Sequence, residues 1–144
     1  LGIYYQAPID LCKQENLDIN SVDFIYSLSV LEHIPTNEIQ SLIAKLSLAK
    51  SQFHFIHLED HANLEMPFDF LSLATYPKQL QLERGNRVRA SQWLNLFSKK
   101  NEVQMIHSWK RNKNLPSKID DSIKFVDEND LRTSHLAIFL RKNN

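Results

Sequence analysis

The stretch Ser21-Val22-Asp23-Phe24-Ile25-Tyr26-Ser27-Leu28-Ser29-Val30-Leu31-Glu32-His33-Ile34-Pro35 decides how this chain is read. Residues 22–31 are mostly apolar on both parities, the pattern of a strand covered on both faces in a parallel sheet. Pro35-Thr36-Asn37 then starts a helix with Thr36 or Asn37 as N-cap, and Ile39, Leu42, Ile43, Leu46 and Ala49 follow at helical spacing. Phe53-His54-Phe55-Ile56-His57-Leu58 is the next strand and runs into the polar cluster Glu59-Asp60-His61. Strand, helix and strand joined this closely form a right-handed crossover, which brings both strand ends to one edge of the sheet. Ligands of such sheets sit at the carboxyl ends of the strands. Leu31-Glu32-His33 and Glu59-Asp60-His61 are therefore expected to gather in one place.

Upstream, residues 1–7 are apolar and aromatic and stop at Pro8, which reads as a short strand. Downstream, residues 67–76 suit a short helix ended by Pro77, and the polar residues 78–90, with Gly85, Arg87 and Arg89, read as a loop over an edge. Ser91 looks like the N-cap of a helix through Lys100 with Leu94 and Phe97 facing inward. Residues 103–109 alternate as a strand does, and residues 136–140 form a last strand. The polar connection between them, residues 110–134, exceeds ordinary loop lengths and should hold a helix near residues 121–131 or a flap. The two late strands are expected to pair antiparallel at one sheet edge.

A chain of 144 residues fits a single domain. Hydrophobic residues at 42% and charged residues at 24% describe a globular protein rather than a disordered one. Seventeen basic and seventeen acidic side chains cancel, so nothing supports a nucleic-acid partner or an anionic membrane surface. The one cysteine, Cys12, excludes an intrachain disulfide and any multi-cysteine metal centre and suits a reducing compartment. No apolar run approaches a membrane span and the first residues lack the order of a signal peptide, so the default expectation is cytoplasmic. Gly2 and Gly85 are the only glycines, which rules out a G-x-G-x-x-G turn or a P-loop within this chain.

The segment of residues 21–35, closing on Leu31-Glu32-His33-Ile34-Pro35, resembles the fourth-strand segment of class I S-adenosylmethionine-dependent methyltransferases. Tyr4-Tyr5-Gln6-Ala7-Pro8-Ile9-Asp10 looks like their third strand and the acidic residue after it. His57-Leu58-Glu59-Asp60-His61, Phe68-Asp69-Phe70-Leu71 and Asn86-Arg87-Val88-Arg89 ahead of Trp93-Leu94-Asn95-Leu96-Phe97 are similar to a bacterial branch often found near glycan-biosynthesis functions. The resemblance implies an α/β fold: a partial Rossmann-like methyltransferase sheet, mostly parallel with an antiparallel strand pair at one edge and helices on both faces. It also implies that residues 1–144 are the rear part of one domain whose Gly-rich cofactor loop lies ahead of it. Strands one and two separate the third strand from the fourth in the family order 3-2-1-4-5-7-6. Residues 1–7 are thus expected to be displaced, or the fourth strand's edge to be covered by a second chain as in a homodimer.

By the same resemblance the cofactor is S-adenosylmethionine, with Asp10 accepting from the adenine amino group, Leu11 and Cys12 lining the ring, and Ser27, Leu28 and Ser29 bordering the methionine part. The acceptor is a small polar molecule of the saccharide or glycan-precursor kind. A sulfonium methyl is already electrophilic, so the enzyme has to align the acceptor and, for a hydroxyl or ammonium, remove a proton. His33 and His61 have the right ordinary pKa for that base. Asp60, Arg87 and Arg89 are candidates for holding the acceptor, the arginines through a phosphate or carboxylate. His57-x-x-Asp60-His61 contains ligating chemistry, but these groups need not converge on an extended segment and no further His or Cys completes a known spacing, so no metal site is expected. The competing reading is a non-catalytic methyltransferase remnant acting as a protein-interaction module through its open strand edge.

Overall fold

The structure is a computed structural model and describes residues 10–13 and 18–143. The expected strand over residues 1–7 and its displacement lie outside the described residues. β1 (Phe24–Leu28) leads through a 3-10 turn (Leu31–His33) into α1 (Thr36–Leu46), and the chain returns as β2 (Ser51–His57), parallel to β1 in register from Phe24↔Ser51 to Leu28↔Phe55. α1 buries Ile39, Leu42, Ile43 and Leu46, the stripe legible in its spacing. Pro35 occupies its N-cap position, and Thr36 N donates to the Gln81 side chain at 2.8 Å. α2 (Lys78–Arg84) stands where a loop was expected, begun by Pro77, ended by Gly85 and burying none of its residues. α3 (Ala90–Ser98) precedes β3 (Asn101–Lys110), and the short α4 (Glu128–Leu131) precedes β4 (Thr133–Lys142).

The sheet order is β1-β2-β4-β3, and only the β1–β2 pairing is parallel; β4 runs antiparallel to both β2 and β3. The mostly parallel, Rossmann-like sheet expected from the sequence is therefore wrong: this is an α/β fold on a four-stranded mixed sheet. The physical reason is connectivity. A parallel pair needs a crossover, and among the described residues only β1-α1-β2 makes one between neighbouring strands. The two late strands do form the expected antiparallel pair at one edge, with β3 outermost and β4 between β2 and β3, which accounts for the apolar residues of β4 on both parities.

Among the described residues, helices on both faces are not found either. α1 and α3 cover the same face, burying Trp93 and Phe97 against Ile56, Leu136, Ile138 and Leu140. Each of these fully buried side chains contributes about 1.5–3 kcal/mol. On the other parity of β1, Phe24, Tyr26 and Leu28 are 50%, 68% and 58% exposed. The connection after β3 is held by a second apolar cluster in which Ile123 and Leu131 pack with Phe68, Phe70 and Leu71. The expected helix at residues 67–76 shortens to a 3-10 turn, Asp69–Ser72.

Candidate functional site

β1 and β2 end side by side, and the turns that follow them build the site. Ser29 leaves β1 with φ +50, a left-handed backbone that a serine rarely adopts, while its N–H still donates to Phe55 O at 2.9 Å. The Leu31–His33 turn then carries Glu32 inward until its side chain has no exposure. Residues 84–89 clip the two strand ends together. Asn86 Nδ2 donates to Leu31 O (3.0 Å) and Ile34 O (2.9 Å), Asn86 N donates to Glu32 O, and His61 N donates to Arg84 O at 3.2 Å.

Gly85 is required in this clip. Its φ of +92 with ψ 151 belongs to glycine almost alone. A Cβ there would stand 3.4 Å from His61 Cδ2 and under 4 Å from the carbonyls of Glu59 and Glu32. Gly85→Ala is expected to lower stability by about 1–3 kcal/mol in urea unfolding, the usual range for a strained backbone site; an unchanged midpoint would show the clip to be relaxed.

Behind the clip lies a chain of imidazoles. His33 and His61 rings are 4.5 Å apart, His61 and His57 4.4 Å, and His57 and His135 4.4 Å and stacked nearly parallel. The cross-strand register His57↔His135 brings the last two together. Glu32 Oε1 lies 3.8 Å from His61 Nε2, and Glu59 Oε2 lies 3.3 Å from His57 Nε2 while accepting from Arg111 Nη1 at 2.9 Å. Burial pushes Glu32 up to about 7 and His61 down to about 4, the neighbouring imidazoles adding to the latter. Burial lowers His135 as well. The donor atoms of Glu32, His57 and His61 all lie within 4.8 Å of one another, as do those of His57, Glu59 and His135. Of the motif His57-x-x-Asp60-His61, the two histidines do come together, Glu32 joins them from the other strand end, and Asp60 turns away.

In front of His33 opens a cleft of about 900 Å³. It is lined by Asp10, Leu11 and Cys12 from one segment and by Ser27, Leu28 and Ser29 from another, together with His33, Lys78 and Leu82. Asp10 accepts from Cys12 N (3.0 Å) and pairs with Lys13 (2.9 Å), whose ammonium keeps its carboxyl below the usual range. Burial, with the Glu38 carboxylate beside it, raises the Cys12 thiol and favours its protonated form. Beneath the cleft Ser27 Oγ stands 2.7 Å from His54 Nδ1, and His54 Nε2 is 2.9 Å from Gln52 Oε1. An amide oxygen only accepts, so His54 carries its proton on Nε2 and Ser27 donates to Nδ1. Asn101 extends this buried network to Ser47 Oγ at 2.8 Å and Phe97 O at 3.2 Å.

The other residues singled out in the sequence are used elsewhere. Asp60 is fully buried, binds Arg84 through both oxygens and accepts from Ala62 N, so it is not available to an acceptor molecule. Arg89 is also fully buried, with its donors on backbone carbonyls, which corrects its assignment as a substrate clamp. Arg87 donates to Leu73 O and Asp120 and lies over the Tyr76 ring at 4.5 Å, beside a separate cavity of about 610 Å³. Of the two histidines, His33 faces the cleft and His61 stands behind it. Glu32 and Glu59 were expected at this strand end and His57 was weighed as a ligand, but none of them was given a role, and His135 was not singled out. The alternation of His57, Glu59 and His61 was the available signal.

No family model matches the chain, and comparison with curated proteins finds no match. Among the described residues no helix is long and apolar enough to cross a membrane.

Proposed function

We propose that the cleft takes S-adenosylmethionine and that the protein is a methyltransferase of the class I type, acting on a small polar acceptor such as a saccharide. One observation carries this reading. Six residues in two separated segments, picked out by resemblance alone, line a single cleft. Its volume lies in the range that ligands of this size occupy. Leu28, Val30, Leu31 and Ile34 offer an apolar wall to a purine, Asp10 an acceptor at the rim, and Ser27, its proton committed to His54, lone pairs for an ammonium. The order β1-β2-β4-β3 is also the order the resemblance implies for its fourth, fifth, seventh and sixth strands.

When bound, the sulfonium supplies an electrophilic methyl carbon. The chain's own part is alignment and proton removal. His33 Nδ1 is 2.8 Å from Leu82 O and so must carry the proton, which leaves Nε2 as the basic nitrogen.

The chain contains no Gly-rich cradle, so weak binding is expected, and ligand-observed saturation-transfer NMR is the suitable measurement. Adenine and ribose protons of S-adenosylmethionine should receive saturation, with S-adenosylhomocysteine competing. Asp10→Ala should weaken binding about 3- to 10-fold, the loss of one hydrogen bond. Absence of transfer, or an Asp10→Ala variant that binds as before, would sink the reading.

A second reading has its own observation. β1 is an edge strand among the described residues, and its outer side is apolar and exposed. In that reading the protein is a methyltransferase remnant that pairs through β1. A dimer in sedimentation velocity that Tyr26→Lys disperses, together with a silent NMR titration, would decide for it.

A further inference from the structure

We infer that Glu32, His57 and His61 form a binding site for one divalent transition-metal ion of the zinc or ferrous class. The inference stands apart from the cofactor reading, since none of the three lines the cleft.

Glu32 carries the argument. Its carboxylate is wholly buried, and neither oxygen makes a well-formed hydrogen bond among the described residues; the nearest donors are the backbone N–H groups of Glu32 and His57 and the Ser29 side chain. Burying such a group with so little to satisfy it costs several kcal/mol. Facing it across 3.8 Å is His61 Nε2, also buried and also without a hydrogen-bond partner. That separation is too long for a hydrogen bond. It is within the roughly 4.2 Å that two ligands, each about 2.1 Å from one centre, can span. His57 completes a trio of donors within 4.8 Å, and movements of about half an ångström bring all three onto one ion.

The surroundings suit a metal. Two imidazoles and one carboxylate leave coordination positions open, a set that favours zinc or ferrous iron over calcium or magnesium. Glu59, held by Arg111, lies against His57 Nε2, the outer carboxylate that orients a ligating imidazole. Gly85 packs against His61, where a Cβ would come to 3.4 Å from Cδ2, so the ring is in contact with the clip. His33, in ring contact with His61, stands between the ion and the cleft.

The test uses untagged protein, stripped with chelator and titrated with Co²⁺ while visible absorption is followed, then with Zn²⁺ in competition. One equivalent of Co²⁺ should give d–d bands that Zn²⁺ abolishes. Glu32→Gln and His61→Ala should each weaken binding at least about 100-fold, and Glu59→Gln about 10- to 100-fold, with circular dichroism confirming that each variant is folded. Because Glu32 makes no well-formed hydrogen bond and glutamine keeps its shape, Glu32→Gln should leave the metal-free fold intact; if it does not fold, His61→Ala, partly exposed, decides. Bands that survive both substitutions, or that only His135→Ala removes, overturn the assignment. So does a featureless titration, which would mean that water bridges the pair.

Discussion

Arg89→Met should leave no cooperative unfolding transition at room temperature, or lower stability by at least about 4 kcal/mol. The guanidinium has no exposure. Nη1 donates to Leu58 O at 2.7 Å, and Nη2 to Thr133 O at 2.6 Å and Leu131 O at 3.0 Å. One side chain thus satisfies the carbonyl just after β2 and two carbonyls at the entry to β4. Each carbonyl left bare in the interior costs about 1–3 kcal/mol, and three of them account for the expected loss. Burial lowers the arginine to about 10, opposed by the carboxylates of Asp130 and Glu59. It remains charged at neutral pH, and removing it also takes a nearby positive charge from those two acids, which keep their bonds to Arg111 and to Ser91 and Val126. Arg89→Lys keeps the charge but not the fork, and should recover only part of the loss. Urea unfolding followed by far-ultraviolet circular dichroism measures both variants; a loss under about 1 kcal/mol for Arg89→Met would show that water reaches the carbonyls.

The second large effect is acid lability through His54. It is wholly buried, stacked on Phe97, and burial lowers it to about 4. In the unfolded chain the same imidazole takes up its proton near pH 6.5. Unfolding therefore binds a proton throughout the window between those values, so stability is full above about pH 6.5 and falls as the pH drops toward 4. The whole fall from this one group is about 3 kcal/mol, at 1.36 kcal/mol for each unit of displacement. His61 acts in the same direction in metal-free protein and Glu32 in the opposite one, so the comparison must isolate His54. His54→Gln should be less stable than the parent at pH 7.5 and approach it as the pH falls to 4. Parallel profiles for the two proteins would refute the argument.

Much of the frame was legible because burial and period coincide there. Ile39, Leu42, Ile43 and Leu46 mark α1, and the apolar run at residues 136–140 marks β4. α2 was not legible because it buries nothing, which leaves no stripe to read. The parallel β1–β2 pair and the antiparallel β3–β4 pair were read correctly, while the mostly parallel character of the sheet was misjudged, because an apolar strand reads the same parallel or antiparallel. The carboxyl-end gathering of Glu32-His33 and Glu59-Asp60-His61 follows from the crossover alone. Which of those side chains turn inward does not, since it depends on Ser29 at positive φ and on register with the distant His135. Arg89 misled for a related reason. Arginine is so often exposed that a buried one, held by carbonyls of residues 58, 131 and 133, leaves no trace in its own neighbourhood.

The clip of residues 84–89 also fixes how the cleft can breathe. With the turn after β1 fastened through Asn86 and the end of β2 through Arg89 and His61, the two strands cannot part without rupturing buried bonds. The opposite wall is looser. Arg84 at the end of α2 stays anchored on buried Asp60, but the rest of the helix is attached by the Lys78–Glu38 ion pair, the Gln81–Thr36 contact and the bond between His33 and Leu82, all near solvent. Segments fastened in that way open at far lower free energy than a core does. A small molecule entering the cleft would pass by swinging α2 aside like a gate on three latches, and the His33 latch would release the basic nitrogen's ring at the same moment.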